Sequence, residues 1–239
     1  MIGYKTIICL ANSRKEGGYC IAGKEIINHQ VTSNWIRPVG DTETGELYRP
    51  YVILKTPFPK LPKWLNFIFS LFIQRKFRPR VLDIIAIPLV EPQPHAYQKE
   101  NYLIDVKQNW IKAPKIILPT QLTQWCDPVS SLWINGYHSS KGLNDRIPLV
   151  KVTDTITSSL VLITPEHLVI KVLPEKVRAE FVFKQQKYNL VITDPRIEQC
   201  YRRKPAGDYP LQQQAYLCIS LGEPFKGYCY KLVAAVILE

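Results

Sequence analysis

Short apolar runs, broken every few residues by glycine, proline, asparagine or serine, fill most of this chain. In the first half, residues 5–11 (KTIICLA), 19–27 (YCIAGKEII) and 35–39 (WIRPV) are rich in β-branched and aromatic side chains. Residues 81–90 (VLDIIAIPLV) and 102–106 continue in the same style. In the second half this texture covers 147–152, 159–163, 168–173, 177–183, 188–193, 216–221 and 228–238. Runs of this length and composition predict β-strands. The 19 prolines leave little room for long helices, because proline lacks the amide donor and clashes with the preceding turn. Many short strands in two sets predict a mostly β protein made of two tandem small barrels. The expected division is 1–113 for the first barrel, 114–144 for a connector with some helix at 119–125 and 129–135, and 145–239 for the second barrel. The halves are expected to be separable, with limited proteolysis cutting first in 137–144, where small polar residues surround Lys141.

One stretch departs from the β texture. Residues 55–80 (KTPFPKLPKWLNFIFSLFIQRKFRPR) carry seven basic residues and no acid. Pro57, Pro59 and Pro62 make its entry extended. Residues 64–77 then contain neither proline nor glycine, and Asn66, Ser70 and Gln74 recur every four residues. That spacing lines them on one face of a helix, with Trp64, Phe67, Ile68, Leu71 and Phe72 around the rest. Such a helix is about 20 Å long, too short for a hydrocarbon core of ~30 Å. Three roles are open to it. It can pack on its own barrel, dock onto a partner protein through those apolar residues with Arg75, Lys76 and Arg78, or lie in a membrane interface.

Charge adds a partner class. Lys and Arg number 31 against 20 Asp and Glu, a formal net charge of +11. Basic proteins attract polyanions, so nucleic acid is the first partner expected. The six cysteines form no C-x-x-C pair, and four of them sit in apolar runs where a free thiol acts as a small hydrophobe. The start, MIGYKTIICLANSRKE, lacks the basic opening and long apolar run of a secretory leader. A reduced, cytoplasmic protein is expected, with no metal and no cofactor. The four histidines are scattered, and the acids form no D-x-D or E-x-K pattern, so an enzyme acting on nucleic acid or nucleotide is the weaker alternative.

Two signatures stand near the ends. The first joins CLANSRKEGGYCIAG (9–23) to NWIRPVG (34–40); the second is SLGEPFKGYCYKLVAAVI (220–237). Together with the LDI strand at 82–84 they resemble the prokaryotic dual-OB (DuOB) domain family. The resemblance covers roughly 5–40, 81–112 and 145–239, and departs at the 55–80 insert. It implies two OB barrels in tandem and binding of nucleic acid or a related ligand, often within larger prokaryotic defence systems.

Candidate binding residues follow from side-chain chemistry. Asn12, Ser13, Arg14 and Lys15 precede two glycines, a loop able to cradle an anion or simply to turn. Trp35 and Arg37 pair an aromatic with a guanidinium, suited to a base and a phosphate or to an ordinary surface contact. Gln98 and Asn101 carry amides that can read a base edge or cap a turn. In the second half, Lys187, Tyr188, Lys226, Tyr228, Tyr230 and Lys231 interleave cations with aromatics, as expected of a binding face or of a barrel wall solvated on one side.

Overall fold

The computed structural model describes residues 3–15, 18–41, 45–47, 52–54, 76–113, 117–152 and 156–239. The first sheet contains β1 (Gly3–Lys15), β2 (Gly18–Ile27), β3 (Gln30–Val39), β4 (Val52–Leu54), β5 (Lys76–Phe77), β6 (Ile84–Pro92), β7 (Asn101–Ile104) and β8 (Trp110–Lys112). Its order is β1-β2-β3-β7-β6-β8-β4-β5, and β1 pairs again with β6. The ring β1-β2-β3-β7-β6 therefore closes on itself, with β3 and β7 parallel and the other pairs antiparallel. Closure removes the exposed edges of a sheet and defines a five-stranded OB barrel. At Gly23 the β1–β2 crossing is so close that an added Cβ would overlap the Ile8 carbonyl, next to a register shift between Cys9 and Ala11.

The second sheet is built from β9 (Arg146–Pro148), β10 (Leu160–Ile163), β11 (Glu166–Val172), β12 (Val177–Phe183), β13 (Gln186–Ile192), β14 (Gly207–Pro210), β15 (Ala215–Phe225) and β16 (Tyr228–Leu238). Its path is β10-β15-β16-β13-β12-β11-β14. Only Thr164 and Pro165 separate β10 from β11, so these two act as one first strand interrupted at a proline. With that reading the order repeats the first barrel, including a parallel pair between β13 and β16. Tight hairpins join β2 to β3 through Asn28-His29, β12 to β13 through Lys184-Gln185, and β15 to β16 through Lys226-Gly227, all six residues at positive φ. That is the turn whose twist matches paired strands.

Several predicted strands run longer than expected, and two predicted elements change identity. Residues 149–151 form a 3₁₀ turn instead of extending β9, because Pro148 ends the ladder and leaves Val150 89% exposed. Residues 129–135 are a series of bends with Trp133 at φ 54°, not a helix. Pro119–Trp125 is helical, as a 3₁₀ helix. Of the predicted 64–77 helix, Trp64, Phe67, Ile68, Leu71, Phe72 and Arg75 lie outside the described residues. Lys76 and Phe77 are strand, paired with Val52 and Ile53, so the helix does not extend to 77. A helix missed by the sequence reading, α1 (Pro195–Tyr201), starts at Asp194, whose Oδ1 accepts from the amides of Arg196 at 2.9 Å and Ile197 at 3.4 Å. Aspartate before proline is a favourable helix start.

The two barrels pack wall to wall. Along β1, Ile7 and Cys9 point into the first barrel's own core, while Ile8, Leu10 and Ala11 point the other way. They meet Leu160 and Leu162 of β10, Tyr216 and Cys218 of β15, and Ala234, Ala235 and Ile237 of β16. The alternate residues Val161, Ile163, Leu217, Ile219, Val233 and Val236 fill the second barrel. This explains why KTIICLA, SLVLI and KLVAAVIL are continuously apolar: each strand is buried on both faces. The strands of the first sheet end by Lys112 and those of the second begin at Arg146, but the shared core argues against freely separable halves.

Candidate functional site

Polar groups lock the seam between the barrels. Asp127, in the connector, accepts from Lys24 Nζ at 2.7 Å, from Trp35 Nε1 at 3.2 Å and from the Leu162 amide at 2.7 Å. Lys24 also donates to the Trp125 carbonyl at 2.7 Å. Two residues beyond Trp35 along the same face of β3, Arg37 Nη2 lies 3.2 Å from Glu100 Oε1 and donates to Ser159 Oγ at 2.8 Å. Ser159 in turn donates to Glu100 through its hydroxyl. The Arg14 amide donates to the Thr193 carbonyl at 3.0 Å, and the Tyr97 hydroxyl donates to the Gly222 carbonyl.

A cleft of about 750 Å³ opens at one end of this seam. Asn12, Arg14 and Tyr19 come from the facing ends of β1 and β2. Arg78, Pro79 and Arg80 come from the segment before β6, and Arg196, Arg202 and Arg203 from α1 and the turn after it. Six guanidiniums thus share the cleft with two carboxylates, Asp194 and Glu198. Arg202 pairs with Glu198 at 2.8 Å, and Arg196 lies 3.8 Å from Asp194. Arg78 sits over the Tyr19 ring at 5.2 Å and donates to its hydroxyl at 2.6 Å. Arg14, Arg80 and Arg203 are exposed and make no ion pair among the described residues. Burial raises the Asp194 carboxyl, against the lowering by Arg196 and by three backbone amides.

A second hollow, about 410 Å³, adjoins the first through Arg14. Its walls are the ends of β1 and β2, the end of β3, the β6–β7 loop with Gln93, His95 and Gln98, and Ser220, Gly222 and Glu223 of the second barrel.

The predicted binding residues divide sharply. Arg14 is exposed in both hollows, and Asn12 lines the cleft while donating to the Pro79 carbonyl at 2.7 Å. Ser13, Gln98 and Asn101 are buried in the wall of the smaller hollow. The Lys15 side chain lies outside the described residues. Arg37 is only 4% exposed and already paired, so it serves the seam before it serves a phosphate. Trp35 is likewise interior, with its indole N–H committed to Asp127. Tyr188, expected on a binding face, is fully buried and stacks on Phe181 at 5.3 Å. Lys231, expected beside it, is 1% exposed and donates to the Ile134 carbonyl at 2.7 Å and Asn135 Oδ1 at 2.9 Å. Lys187, Lys226, Tyr228 and Tyr230 are exposed or half-buried on the second barrel, away from both hollows; there Arg146 covers Tyr228 at 4.0 Å. Arg78 enters the cleft, and the Lys76 side chain is not among those described. Sequence reading missed Arg80, Arg196, Arg202 and Arg203 as site residues.

Burial pulls the Lys231 ammonium down to about 7. Between that value and an unfolded pKa of ~10.4, the unfolded chain holds a proton that the fold rejects, so stability rises with pH from 7 upward. As pH approaches ~8.5 the unfolded thiols ionise while the buried Cys9, Cys126, Cys218 and Cys229, all pushed up by burial, do not, which works in the opposite direction. Between pH 7 and 8 the Lys231 contribution grows by about 1 kcal/mol and the four thiols offset roughly half of it. The urea-derived stability is therefore expected to rise slightly, and Lys231→Met is expected to turn the rise into a slight fall. Equal slopes in both proteins would show that Lys231 is not the titrating group.

Fold and cleft together define a tandem OB-barrel protein with an arginine-lined seam. The chain belongs to the dual OB-containing domain family, whose sequence pattern matches residues 5–65 and 70–236. The match runs through most of the 55–80 stretch, so the departure expected there shrinks to 66–69. No curated protein sequence matches. Among solved structures, the chain is similar over 99% of its length to the p204 HINb domain, with 12% identity, 96% of that chain covered and a TM-score of 0.36. It is similar over the same share to a murine DNA-binding protein bound with double-stranded DNA (8% identity, 96% of that chain, TM-score 0.34). The tetrameric p202 HIN2 structure is similar at 8% identity, with 92% of that chain covered and a TM-score of 0.32.

Proposed function

We propose that this protein binds nucleic acid, with the sugar–phosphate backbone running through the cleft between the two barrels. The observation that carries the reading is the cleft itself: six arginines from three separate segments converge on one opening. All its cations are arginine and none is lysine, and the planar guanidinium fork matches phosphate oxygens two at a time. Three of the six make no ion pair among the described residues. OB barrels supply a fitting scaffold, since their strand faces and loops accept oligonucleotides. The buried thiols, pushed away from the reactive thiolate, support a binding module and not a nucleophilic enzyme. The six free cysteines support a reducing, cytoplasmic setting. No helix among the described residues is long and apolar enough to cross a membrane.

Fluorescence anisotropy with single- and double-stranded DNA and RNA, repeated across a salt series, tests the reading. If Arg14, Arg80 and Arg203 each neutralise one phosphate of a duplex, log K is expected to fall against log salt with a slope of about −3. Absence of binding to every one of these probes at low salt would overturn the reading.

A further inference from the structure

The smaller hollow has features that a phosphate cleft does not need. Its volume of about 410 Å³ lies within the range of small-ligand pockets, and it is walled by neutral polar groups more than by cations. Gln93 and His95 stand exposed at its rim, on a loop whose backbone is fixed by mutual His95 and Gln98 amide-to-carbonyl bonds of 3.2 and 2.8 Å. Arg37 and Asn101 are direct neighbours in the β3–β7 ladder, and both belong to its wall. Each is more than nine-tenths buried, and each has one polar atom, closed to solvent, with no hydrogen-bond partner among the described residues: Arg37 Nε, a donor, and Asn101 Oδ1, an acceptor. Buried polar atoms are normally satisfied, so these two leave hydrogen-bonding capacity unspent in residues of the pocket wall, capacity that a side-chain shift can turn to a polar guest. Arg14 lines both this hollow and the arginine cleft, so a chain held by its phosphates in the cleft can pass a base into the pocket.

We infer that the two hollows form one bipartite site: the cleft holds the phosphate backbone, and the pocket admits the base of a single unpaired nucleotide. The inference rests on the nucleic-acid reading above and adds a substrate class to it, namely strands with a free end, an overhang or an extruded base. Base pairing buries the edge that this pocket would contact, so a fully paired interior cannot use it.

Two duplexes test this. One carries a short single-stranded overhang, and the other carries the same overhang with abasic residues, which keeps every phosphate and removes every base. The base-bearing overhang is expected to bind about tenfold more tightly, with the same salt slope. In the Gln93→Ala/His95→Ala variant, whose exchanges touch the pocket and not the cleft, that advantage is expected to vanish while the salt slope stays. Equal affinity of the wild-type protein for the two duplexes would overturn the bipartite site and leave the cleft reading standing. Failure to bind either duplex would overturn both.

Discussion

Replacing Asp127 with alanine is expected to lower the unfolding free energy by about 3–5 kcal/mol, a large share of the roughly 5–15 kcal/mol of an ordinary domain. The carboxylate is the common acceptor of three donors from three places: Lys24 on β2, Trp35 on β3 and the Leu162 amide on β10. Removing it leaves the Lys24 ammonium, only 3% exposed at its side chain, with the Trp125 carbonyl as its remaining partner. It also orphans an indole N–H and a backbone N–H at the seam. An uncompensated buried charge costs more than the pair contributes, which sets the size of the effect. Asp127→Asn should fall between wild type and alanine, because an amide oxygen still accepts. Because the knot joins both barrels and the apolar cluster around Ile8, Leu162 and Tyr216 is shared, the loss should appear as one cooperative transition shifted to lower urea. Two transitions, one unmoved by the substitution, would show that the barrels fold independently.

The strands were legible wherever both of their faces are buried. Runs such as KTIICLA and KLVAAVIL signal strand because a wall between two cores needs apolar side chains at every position. The short strands β4, β5, β8 and β14 were not legible. β14 reads Gly-Asp-Tyr-Pro and joins β11 mostly through its backbone, which leaves no side-chain pattern to find. The 149–151 run misled in the opposite direction, since exposed Leu149 and Val150 imitate a strand interior. Lys231 and Tyr188 alternate with apolar neighbours just as a solvated face would, and their true partners, Ile134, Asn135 and Leu132, come from the connector. No spacing along the chain predicts that a lysine will find two acceptors in a distant bend. The same reasoning applies to the site. Arg14 drew notice for its loop and Arg78 for its basic stretch, but they meet Arg202 in one cleft only because β1 of the first barrel packs beside α1 of the second. Convergence from residues 14, 78–80 and 196–203 is a tertiary fact.

Replacing Arg14, Arg80 and Arg203 together with alanine is expected to weaken nucleic-acid binding by about one to two orders of magnitude at moderate salt. These three line the cleft, are exposed, and make no ion pair among the described residues. Stability should change little, since exposed charges contribute little to folding. Arg37→Lys provides the contrast. It disturbs a buried seam contact with Glu100 and Ser159, so it should lower the urea midpoint while leaving the salt dependence of binding in place. The most direct measurement is the slope of log K against log salt for one duplex, taken for wild type and for the triple variant. A slope less steep by up to about 0.9 for each arginine lost is expected, with unfolding unchanged. A triple variant that keeps the full wild-type slope would place the nucleic acid somewhere other than the seam.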